Sequence, residues 1–218
     1  MTEKDGSLVI QDGQTVVFIG DSITDCGRRD VAAPLGNGYA SMVVGLIAAK
    51  YPQRKIRFVN TGIGGDVATG LRGRWDEDVI AHKPDWVSVL VGINDLHRTL
   101  REDPAAVPPA EYRRACTDFL ESTAQRTDAG LILMDPFYMA RRPDPGSPEE
   151  AVLNLLPEYV AIVTELAGRL GARHVRLHEA FQRVLEHYGA EFLCAEPVHP
   201  NPAGHLVIAH EWLRAMAW

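Results

Sequence analysis

The chain has 218 residues, of which 46% are hydrophobic and 23% are charged, and these fractions are ordinary for a globular protein. A chain of this length is most simply one domain with a sizeable core, so we take residues 1–218 as a single domain. Its formal net charge of −7 argues against nucleic acid as the main partner, since phosphate backbones need a basic face.

Further features narrow the expected compartment and chemistry. No uninterrupted apolar run approaches the roughly 20 residues of a membrane span, and residues 1–6 are polar and acid-containing, unlike a secretory signal. The three cysteines, Cys26, Cys116 and Cys194, are widely spaced and form no CxxC pair, so neither a disulfide framework nor a zinc site is indicated. We therefore expect a cytoplasmic protein without membrane contact, metal or cofactor.

Apolar, β-branched runs alternate with amphipathic stretches along the chain. In chain order, the predicted strands are Thr15–Ile19, Ile56–Val59, Trp86–Val91, Leu131–Met134 and Val175–Leu177. The predicted helices are Tyr39–Lys50, Thr69–Ala81, Ala110–Gln125, Glu149–Leu170, Glu179–Tyr188 and Ala203–Met216. Near-continuous apolar runs suit strands buried on both faces, and the alternation predicts a mostly parallel sheet with helices on both sides.

Polar and glycine-containing clusters follow four of the predicted strands. They are Gly20–Ser22, Asn60–Asp66, Gly92–Asp95 and Asp135–Tyr138. In open α/β sheets, ligands bind beyond the carboxyl ends of the strands. The four clusters are therefore expected to converge on one functional site.

The first cluster offers a nucleophile. Ser22 stands in Gly20-Asp21-Ser22, where an apolar run ends abruptly. Such a tripeptide is often only a turn, but its position after a buried strand predicts that Ser22 begins a helix and points into the crevice. The Gly-x-Ser-x-Gly elbow of α/β-hydrolases is absent around it, which argues against that fold.

The second and third clusters offer hydrogen-bond donors, which we expect to lie in loops. The loop that ends in Gly64-Gly65 lacks the third glycine of a G-x-G-x-x-G phosphate loop. It is either a tight turn without function or a turn that presents the Gly65 N–H to a developing oxyanion. The Asn94 amide suits the same role, or else an Asx turn or a helix N-cap.

A candidate base lies near the C-terminus. His199 stands between prolines that stiffen its loop, and an imidazole can remove the proton of a serine hydroxyl near pH 7. Asn201 and Pro202 then predict a helix start, as N-cap and first-turn residue. Glu196, three residues before His199, can reach the far ring nitrogen and fix the tautomer.

The chain resembles the SGNH, or GDSL, hydrolases in the chain order of four features, which are Gly20–Ser22, Gly65, Gly92–Asp95 and His199. The resemblance spans essentially the whole chain. It implies a three-layer α/β/α, flavodoxin-like fold and ester hydrolysis without a metal. It further implies Ser22 as nucleophile and His199 as base, with the Ser22 N–H, the Gly65 N–H and the Asn94 side chain as the oxyanion hole.

Longer stretches, Ile19–Arg28, Arg74–Ile80 and Lys83–Ser88, are similar to the acetylxylan-esterase branch, which removes acetyl groups from xylose oligomers. One position departs from the family, which usually has Asp where this chain has Glu196. Either Glu196 accepts the N–H of the His199 ring as the third member of a triad, or it turns away and a backbone carbonyl orients the ring.

The sequence thus predicts a serine esterase that removes acetyl groups from small carbohydrate esters, such as acetylated xylo-oligosaccharides, through an acyl-enzyme. We expect Asp21, His97 and Tyr138 to contact the substrate, and Phe137 and Tyr138 to wall its acyl side, so that short acyl groups are favoured. The expected partner is a small acetylated sugar. Residues 212–218 leave apolar surface that a second copy can cover, so a homo-oligomer is also considered.

Three alternatives stay open at this point. A short-chain lipase- or thioesterase-like esterase needs an apolar acyl channel. A metallophosphoesterase needs clustered His and Asp ligands in motifs such as Gly-His-x-His, which does not occur in the sequence. A non-catalytic sugar-binding relative would perform no chemistry, so it would have no reason to keep serine, glycine, asparagine and histidine together.

Overall fold

Five parallel strands form the centre of the computed structural model, which describes residues 8–218. The strands are β1 Thr15–Gly20, β2 Arg57–Asn60, β3 Trp86–Leu90, β4 Gly130–Met134 and β5 Arg173–Val175. They lie in the order β2-β1-β3-β4-β5 with parallel pairing throughout. The predicted α/β fold with a five-stranded parallel sheet is confirmed. The N-terminal residues on which the absence of a secretory signal was predicted lie outside the described range.

Helices connect the strands. They are α1 Ser22–Asp25, α2 Tyr39–Lys50, α3 Ala68–Asp78, α4 Ile93–Leu100, α5 Pro109–Arg126, α6 Pro148–Leu170, α7 Leu177–Val184 and α8 Pro202–Ala215. Short 3₁₀ turns lie at Ile80–His82 and Ala190–Phe192. The bounds of α2 are as predicted, whereas the predicted helix over 69–81 ends earlier, as α3, and continues only as the first 3₁₀ turn.

The helices form a layer on each face of the sheet. The chain leaves β1 for β2 on one side and then crosses to β3 on the other side of β1. Because parallel crossovers are right-handed, this reversal places α2 and α3 on opposite faces. On the first face α2 packs on α8, and on the second α3 packs on α5, which in turn packs on α6.

A buried tryptophan anchors each face. The Trp212 ring of α8 lies 5.5 Å from the Phe18 ring of β1, centre to centre, and its indole N–H donates to the Ser88 hydroxyl at 2.9 Å. On the other face, the Trp75 ring of α3 stacks on Phe119 of α5 with ring centres 4.2 Å apart. Apolar burial is the dominant favourable term in folding, so these contacts fix the helices against the strands whose ends build the site.

The last strand and the helix after it differ from the prediction. The sequence predicts a strand at Val175–Leu177, but β5 spans Arg173–Val175 and Leu177 begins α7. Among the described strands, β5 pairs only with β4, and it forms an edge of the sheet. An edge strand has a neighbouring strand on one side only, so it tolerates polar residues. β5 therefore lacks the continuous apolar run that marks a central strand.

Asn94 lies in a helix, so the prediction of a loop there is wrong. Two residues, Val91 and Gly92, separate the end of β3 from the start of α4. Gly92 has φ +136°, a conformation that strongly favours glycine. Ile93 and Leu96 bury one side of α4 in the core. α4 is short, and two apolar residues three positions apart also occur in turns. The Gly92–Asp95 motif alone therefore does not indicate a helix.

By length and composition alone, one described helix would be able to cross a membrane. It is α6, with 23 residues and a mean hydropathy of 1.3 over its most apolar window. α6 packs against α4, α5, β4 and β5. Its buried side chains, Leu156, Tyr159, Val163 and Leu166 among them, follow the spacing of one face of a core helix.

Asp95 joins α4 to α3 through a buried carboxyl group. Its Oδ1 accepts the N–H of Ala68, the first residue of α3, at 2.9 Å, and so satisfies one of the free donors of that helix end. Among residues 8–218, its buried Oδ2 has no hydrogen-bond partner. Burial raises the pKa of Asp95 from 3.8 to about 7. The folded state therefore holds this proton more tightly than the unfolded chain does.

We expect Asp95→Asn to flatten the pH dependence of stability between about pH 4 and pH 7. A carboxyl whose pKa is raised on folding stabilises the fold at low pH, and this contribution is lost as the pH rises toward the folded pKa. The free energy of unfolding of the wild type should therefore fall, relative to the variant, by roughly 1 kcal/mol per pH unit. Urea unfolding at several pH values measures it, with the exposed Asp128→Asn as control. Parallel curves for wild type and Asp95→Asn would contradict this account.

Candidate active site

Ser22 opens a helix directly beyond the end of β1, as the sequence predicts. Asp21 is the N-cap of α1, and its Oδ1 accepts the Ile23 N–H at 3.0 Å. The first N–H groups of a helix have no intrahelical partner. Ser22 therefore presents both its hydroxyl and its own N–H at the carboxyl edge of the sheet, where β1 has neighbours that connect in opposite directions.

Ser22, His199 and Glu196 form one hydrogen-bonded chain. Ser22 Oγ lies 2.9 Å from His199 Nε2, although the two residues are 177 positions apart. On the far side of the ring, His199 Nδ1 lies 2.5 Å from Glu196 Oε1. A carboxylate at Nδ1 requires the proton there, which leaves Nε2 free to accept the serine proton. The arrangement is that of a nucleophile, a base and an orienting acid.

Backbone donors hold Glu196 in this position. Its carboxylate accepts the N–H of Val198 at 2.9 Å and the N–H of His199 at 2.8 Å. Partial burial raises the pKa of Glu196, but these two N–H groups and the His199 ring outweigh burial, and the net pKa is lowered. Glu196 is therefore a carboxylate at neutral pH. Of the two arrangements considered for this residue, the structure has the one with the carboxylate on the imidazole.

The loop of His199 is tied on both sides. The Pro197 carbonyl accepts the Met139 N–H at 2.8 Å, which fixes the loop to the segment after β4. Asn201 caps α8, accepting the N–H groups of Ala203 at 2.9 Å and Gly204 at 3.1 Å, as the sequence predicts. The base is therefore mounted between two anchored points, although its own side chain is 58% exposed.

Gly65 lies in a turn that leaves its N–H open. The Asp66 N–H donates to the Ile63 carbonyl at 3.2 Å, and Gly65 has φ +80°, so the turn needs glycine here. An added Cβ at Gly65 would meet nothing within 4 Å, so the requirement is conformational and the position is open to a ligand. Within residues 8–218 the Gly65 N–H has no hydrogen-bond partner.

Asn94 lies beside the same turn. Its Nδ2 donates one hydrogen to the Asp66 carbonyl at 3.0 Å. An amide nitrogen carries two hydrogens, so the second is available to a ligand. The bond to Asp66 fixes the orientation of the amide and ties α4 to the Gly65 turn. Two of the predicted donors are thus linked through Asp66, the residue after Gly65, by a hydrogen bond that the sequence does not indicate.

The structure does not support the predicted contact between Asp21 and substrate. Its side chain is 1% exposed and lies beneath the Ser22 turn, where Oδ1 caps α1 and the buried Oδ2 has no hydrogen-bond partner in the described part of the chain. Burial raises the pKa of Asp21 to about 7. An N-cap must point back at its own helix, and this requirement turns the carboxyl away from the crevice.

The other two predicted contact residues line a cleft next to the site. His97 of α4 and Tyr138 meet edge to face with ring centres 6.0 Å apart. The cleft has a volume of about 390 Å³ and also includes Leu100, Arg101, Pro148, Ala151, Val152, Glu196 and Val198. Phe137, expected to wall the acyl side, is instead buried against Phe181 with ring centres 4.4 Å apart. Successive residues here point to opposite sides, so only one of the two aromatic side chains faces the cleft.

Charged residues that have no predicted role surround the Gly65 turn. Arg74 donates to Asp66 Oδ2 at 2.8 Å and to the Thr61 carbonyl at 2.7 Å. Arg28 donates to the Gly62 carbonyl at 2.6 Å. No local pattern identifies these pairs, because in each of them the two partners are at least eight residues apart in the chain. Within residues 8–218, no three His, Cys, Asp or Glu side chains are grouped so as to hold a metal ion.

The chain is similar to known proteins over nearly its full length. A family model described as the GDSL-like Lipase/Acylhydrolase family matches residues 18–207. The acetylxylan esterase of Geobacillus stearothermophilus is 36% identical over 223 residues, which cover 97% of each chain. The crystal structure of Axe2, an acetylxylan esterase from the same organism, has a TM-score of 0.86 and 37% identity, covering 96% of this chain and 97% of that one.

A further solved structure and variants of Axe2 show the same likeness. An α/β hydrolase enzyme from the metagenome of Lake Arreo, Spain, has a TM-score of 0.86 and 32% identity, covering 96% of this chain and 97% of its own. Catalytic mutants of Axe2 replace a serine, an aspartate or a histidine by alanine. In that enzyme the aspartate stands three residues before the histidine, the same spacing as Glu196 and His199 here.

We expect Ser22 and His199 to act as one unit. Ser22→Ala and His199→Ala should each lower kcat for p-nitrophenyl acetate by several orders of magnitude. The double variant should be little slower than the slower single variant, because each group is useless without the other. Steady-state kinetics on the three variants measures this. Losses that simply multiply in the double variant would show that the two side chains act independently.

We expect Glu196→Gln to lower kcat by up to roughly 10⁴-fold, because a neutral amide neither holds the required tautomer nor stabilises the imidazolium. Glu196→Asp should retain much of the rate if the loop closes a gap of about one methylene. Glu191→Gln, at an exposed position on the preceding 3₁₀ turn, is the matched control. A Glu196→Gln enzyme within a few-fold of wild type would reduce the triad to a Ser–His dyad.

Proposed function

This chain belongs to the GDSL-like lipase/acylhydrolase family and is a carboxylic ester hydrolase, and from that premise we propose that it removes acetyl groups from small carbohydrate esters such as acetylated xylo-oligosaccharides. The observation that carries the chemistry is the bond of 2.9 Å between Ser22 Oγ and His199 Nε2. The substrate class is supported by 36% identity, over 97% of the chain, to an acetylxylan esterase.

In the proposed first step, Ser22 Oγ attacks the acetyl carbonyl while its proton passes to His199 Nε2. The carbonyl oxygen becomes an oxyanion, and the imidazolium then gives its proton to the departing sugar hydroxyl. The acetyl group remains on Ser22 as an ester. In the second step, His199 removes a proton from water, and the hydroxide attacks the acyl-enzyme. Acetate leaves, and the proton returns to Ser22.

The oxyanion hole supplies the largest share of the rate enhancement in this proposal. The Ser22 N–H, the Gly65 N–H and the second hydrogen of Asn94 Nδ2 are its donors. Each is fixed before the substrate arrives: Ser22 by α1, Gly65 by its turn, and Asn94 by its bond to the Asp66 carbonyl. Donors that need no reorganisation stabilise a developing charge more than mobile water does.

Glu196 contributes a negative charge to the proposed catalytic site. Its lowered pKa keeps it ionised at neutral pH, so it can stabilise the imidazolium formed in each step. The longer side chain of glutamate is accommodated because its carboxylate also accepts the N–H groups of Val198 and His199. We therefore propose that Glu196 takes the place of the aspartate usual in this family.

The cleft beside the site favours a polar leaving group or a short acyl group. His97, Arg101 and Glu196 contribute polar atoms to its wall, while Leu100 and Val152 contribute apolar ones. A lipase- or thioesterase-like relative would need a continuous apolar channel for a long chain. Charged groups at the wall make burial of such a chain costly, so we prefer the acetylated sugar.

Two assays test this proposal. Acetate release from acetylated xylo-oligosaccharides should be rapid with the wild type and absent with Ser22→Ala. On p-nitrophenyl esters of increasing length, the acetyl ester should be hydrolysed faster than the octanoyl ester, because Arg101 and Glu196 interrupt the apolar wall of the cleft. A long-chain optimum would move the enzyme to the lipase-like alternative. Activity on p-nitrophenyl acetate without acetate release from the oligosaccharides would refute the sugar substrate and retain the esterase.

A further inference from the structure

Two adjacent glycines carry one of the proposed oxyanion donors. The Gly65 N–H belongs to the peptide unit between Gly64 and Gly65, and both residues are exposed. Glycine populates positive and negative φ about equally, so a Gly-Gly peptide in an open turn can rotate at little energetic cost. A donor on such a peptide stabilises an oxyanion only if neighbouring peptide units hold its orientation.

The unit before this peptide is anchored to the nucleophile helix. The Gly64 N–H donates to Asp25 Oδ2 at 3.0 Å. Asp25 is the last residue of α1, which Ser22 begins, and its carboxylate also pairs with Arg29 at 2.8 Å. Upstream of the donor, the turn is therefore held by the same four-residue helix that positions the nucleophile.

The unit after this peptide is anchored by Arg98. The Nη2 of Arg98 donates to the Gly65 carbonyl at 2.8 Å. Arg98 lies one helical turn beyond Asn94 on α4, and Asn94 holds the next carbonyl, that of Asp66, at 3.0 Å. One face of α4 therefore binds two consecutive carbonyls of the turn. Hydrogen bonds from charged donors are about twice as strong as neutral ones.

We propose that Arg98 is a positioning residue, which fixes the peptide of Gly64 and Gly65 so that the Gly65 N–H faces the oxyanion. With Asp25 at one end and Arg98 at the other, the donor peptide is clamped between two fixed units. Arg98 acts through Gly65 and does not itself touch the reacting atoms. The role in rate rests on the proposed function, whereas the clamp itself is a property of the fold.

The clamp predicts a loss in turnover rather than in substrate affinity. The oxyanion exists only at and around the transition state, so misorienting its donor lowers kcat and leaves KM nearly unchanged. Losing one donor outright lowers kcat by about 10²–10³. Without Arg98 the peptide still samples the productive orientation, so we expect a smaller effect, roughly tenfold.

Kinetics on the full-length enzyme with p-nitrophenyl acetate tests the effect on rate. Arg98→Met keeps the aliphatic stem and removes the donor, and it should lower kcat roughly tenfold with KM within about twofold. Arg98→Lys keeps a charged donor and should recover part of the loss. Arg126→Met removes an arginine whose ion pair with Asp76 lies on α5 and α3, away from the turn, and it should behave as wild type. Unchanged kcat in Arg98→Met, or a rise in KM at constant kcat, would overturn the proposal.

An NMR measurement tests the clamp without any substrate. In the wild type the ¹⁵N order parameter of the Gly65 amide should be near the rigid value of roughly 0.85, and in Arg98→Met it should fall toward 0.6. The Asn94 backbone amide, within α4, should stay rigid in both. A Gly65 order parameter that Arg98→Met leaves unchanged would overturn the clamp. Because this readout involves no ester, it separates failure of the clamp from failure of the proposed function.

Discussion

The hydrogen bond between Ser22 and His199 is the contact on which the site depends, and it joins the first residue of α1 to the loop before α8, 177 residues away. Neither segment could place its side chain alone. Ser22 is fixed by its position just beyond the end of β1, the strand that lies between β2 and β3 in the sheet. His199 is fixed by α8, whose Trp212 packs on Phe18 of the same strand. The bond therefore reports whether the sheet and its last helix are correctly assembled.

Environment gives three carboxyl groups near this bond different pKa shifts. Asp21 and Asp95 are buried under the site, and burial raises the pKa of each to about 7. Glu196 stands at the surface among N–H donors, and its pKa is lowered. The charge that balances the imidazolium is thus located on Glu196, while the carboxyls beneath Ser22 serve chiefly as helix caps. A fully ionised Asp21 would place a second negative charge behind the developing oxyanion and oppose it.

Local chemistry was readable from the sequence, and long-range contacts were not. The Asn201 cap, the bounds of α2 and the helix at Ser22 depend on neighbouring residues, and these predictions are confirmed. The sequence predicts convergence of Ser22, Gly65 and Asn94 because parallel strands end at one edge of the sheet, whereas His199 and Glu196 are identified by their own motif before the last helix.

Other features depend on partners distant in sequence. The contact of Arg98 with the Gly65 carbonyl requires the approach of α4 to the turn after β2, and the cap of α3 by Asp95 requires the approach of α4 to α3. Asp21 was misassigned because its place in the motif indicates proximity to the nucleophile but not the direction of its side chain. β5 lies at the edge of the sheet and has no continuous apolar run, so the sequence pattern does not locate the bounds of this strand.

The central claim is that Ser22 is acylated while its oxyanion is held by three donors fixed in advance. Its most direct test is a crystal structure of the enzyme after reaction with diethyl p-nitrophenyl phosphate, whose tetrahedral adduct imitates the intermediate. We expect phosphorus on Ser22 Oγ, with the phosphoryl oxygen about 2.7–3.1 Å from the Ser22 nitrogen, the Gly65 nitrogen and Asn94 Nδ2. An adduct on another residue, or a phosphoryl oxygen directed to solvent away from these donors, would contradict it.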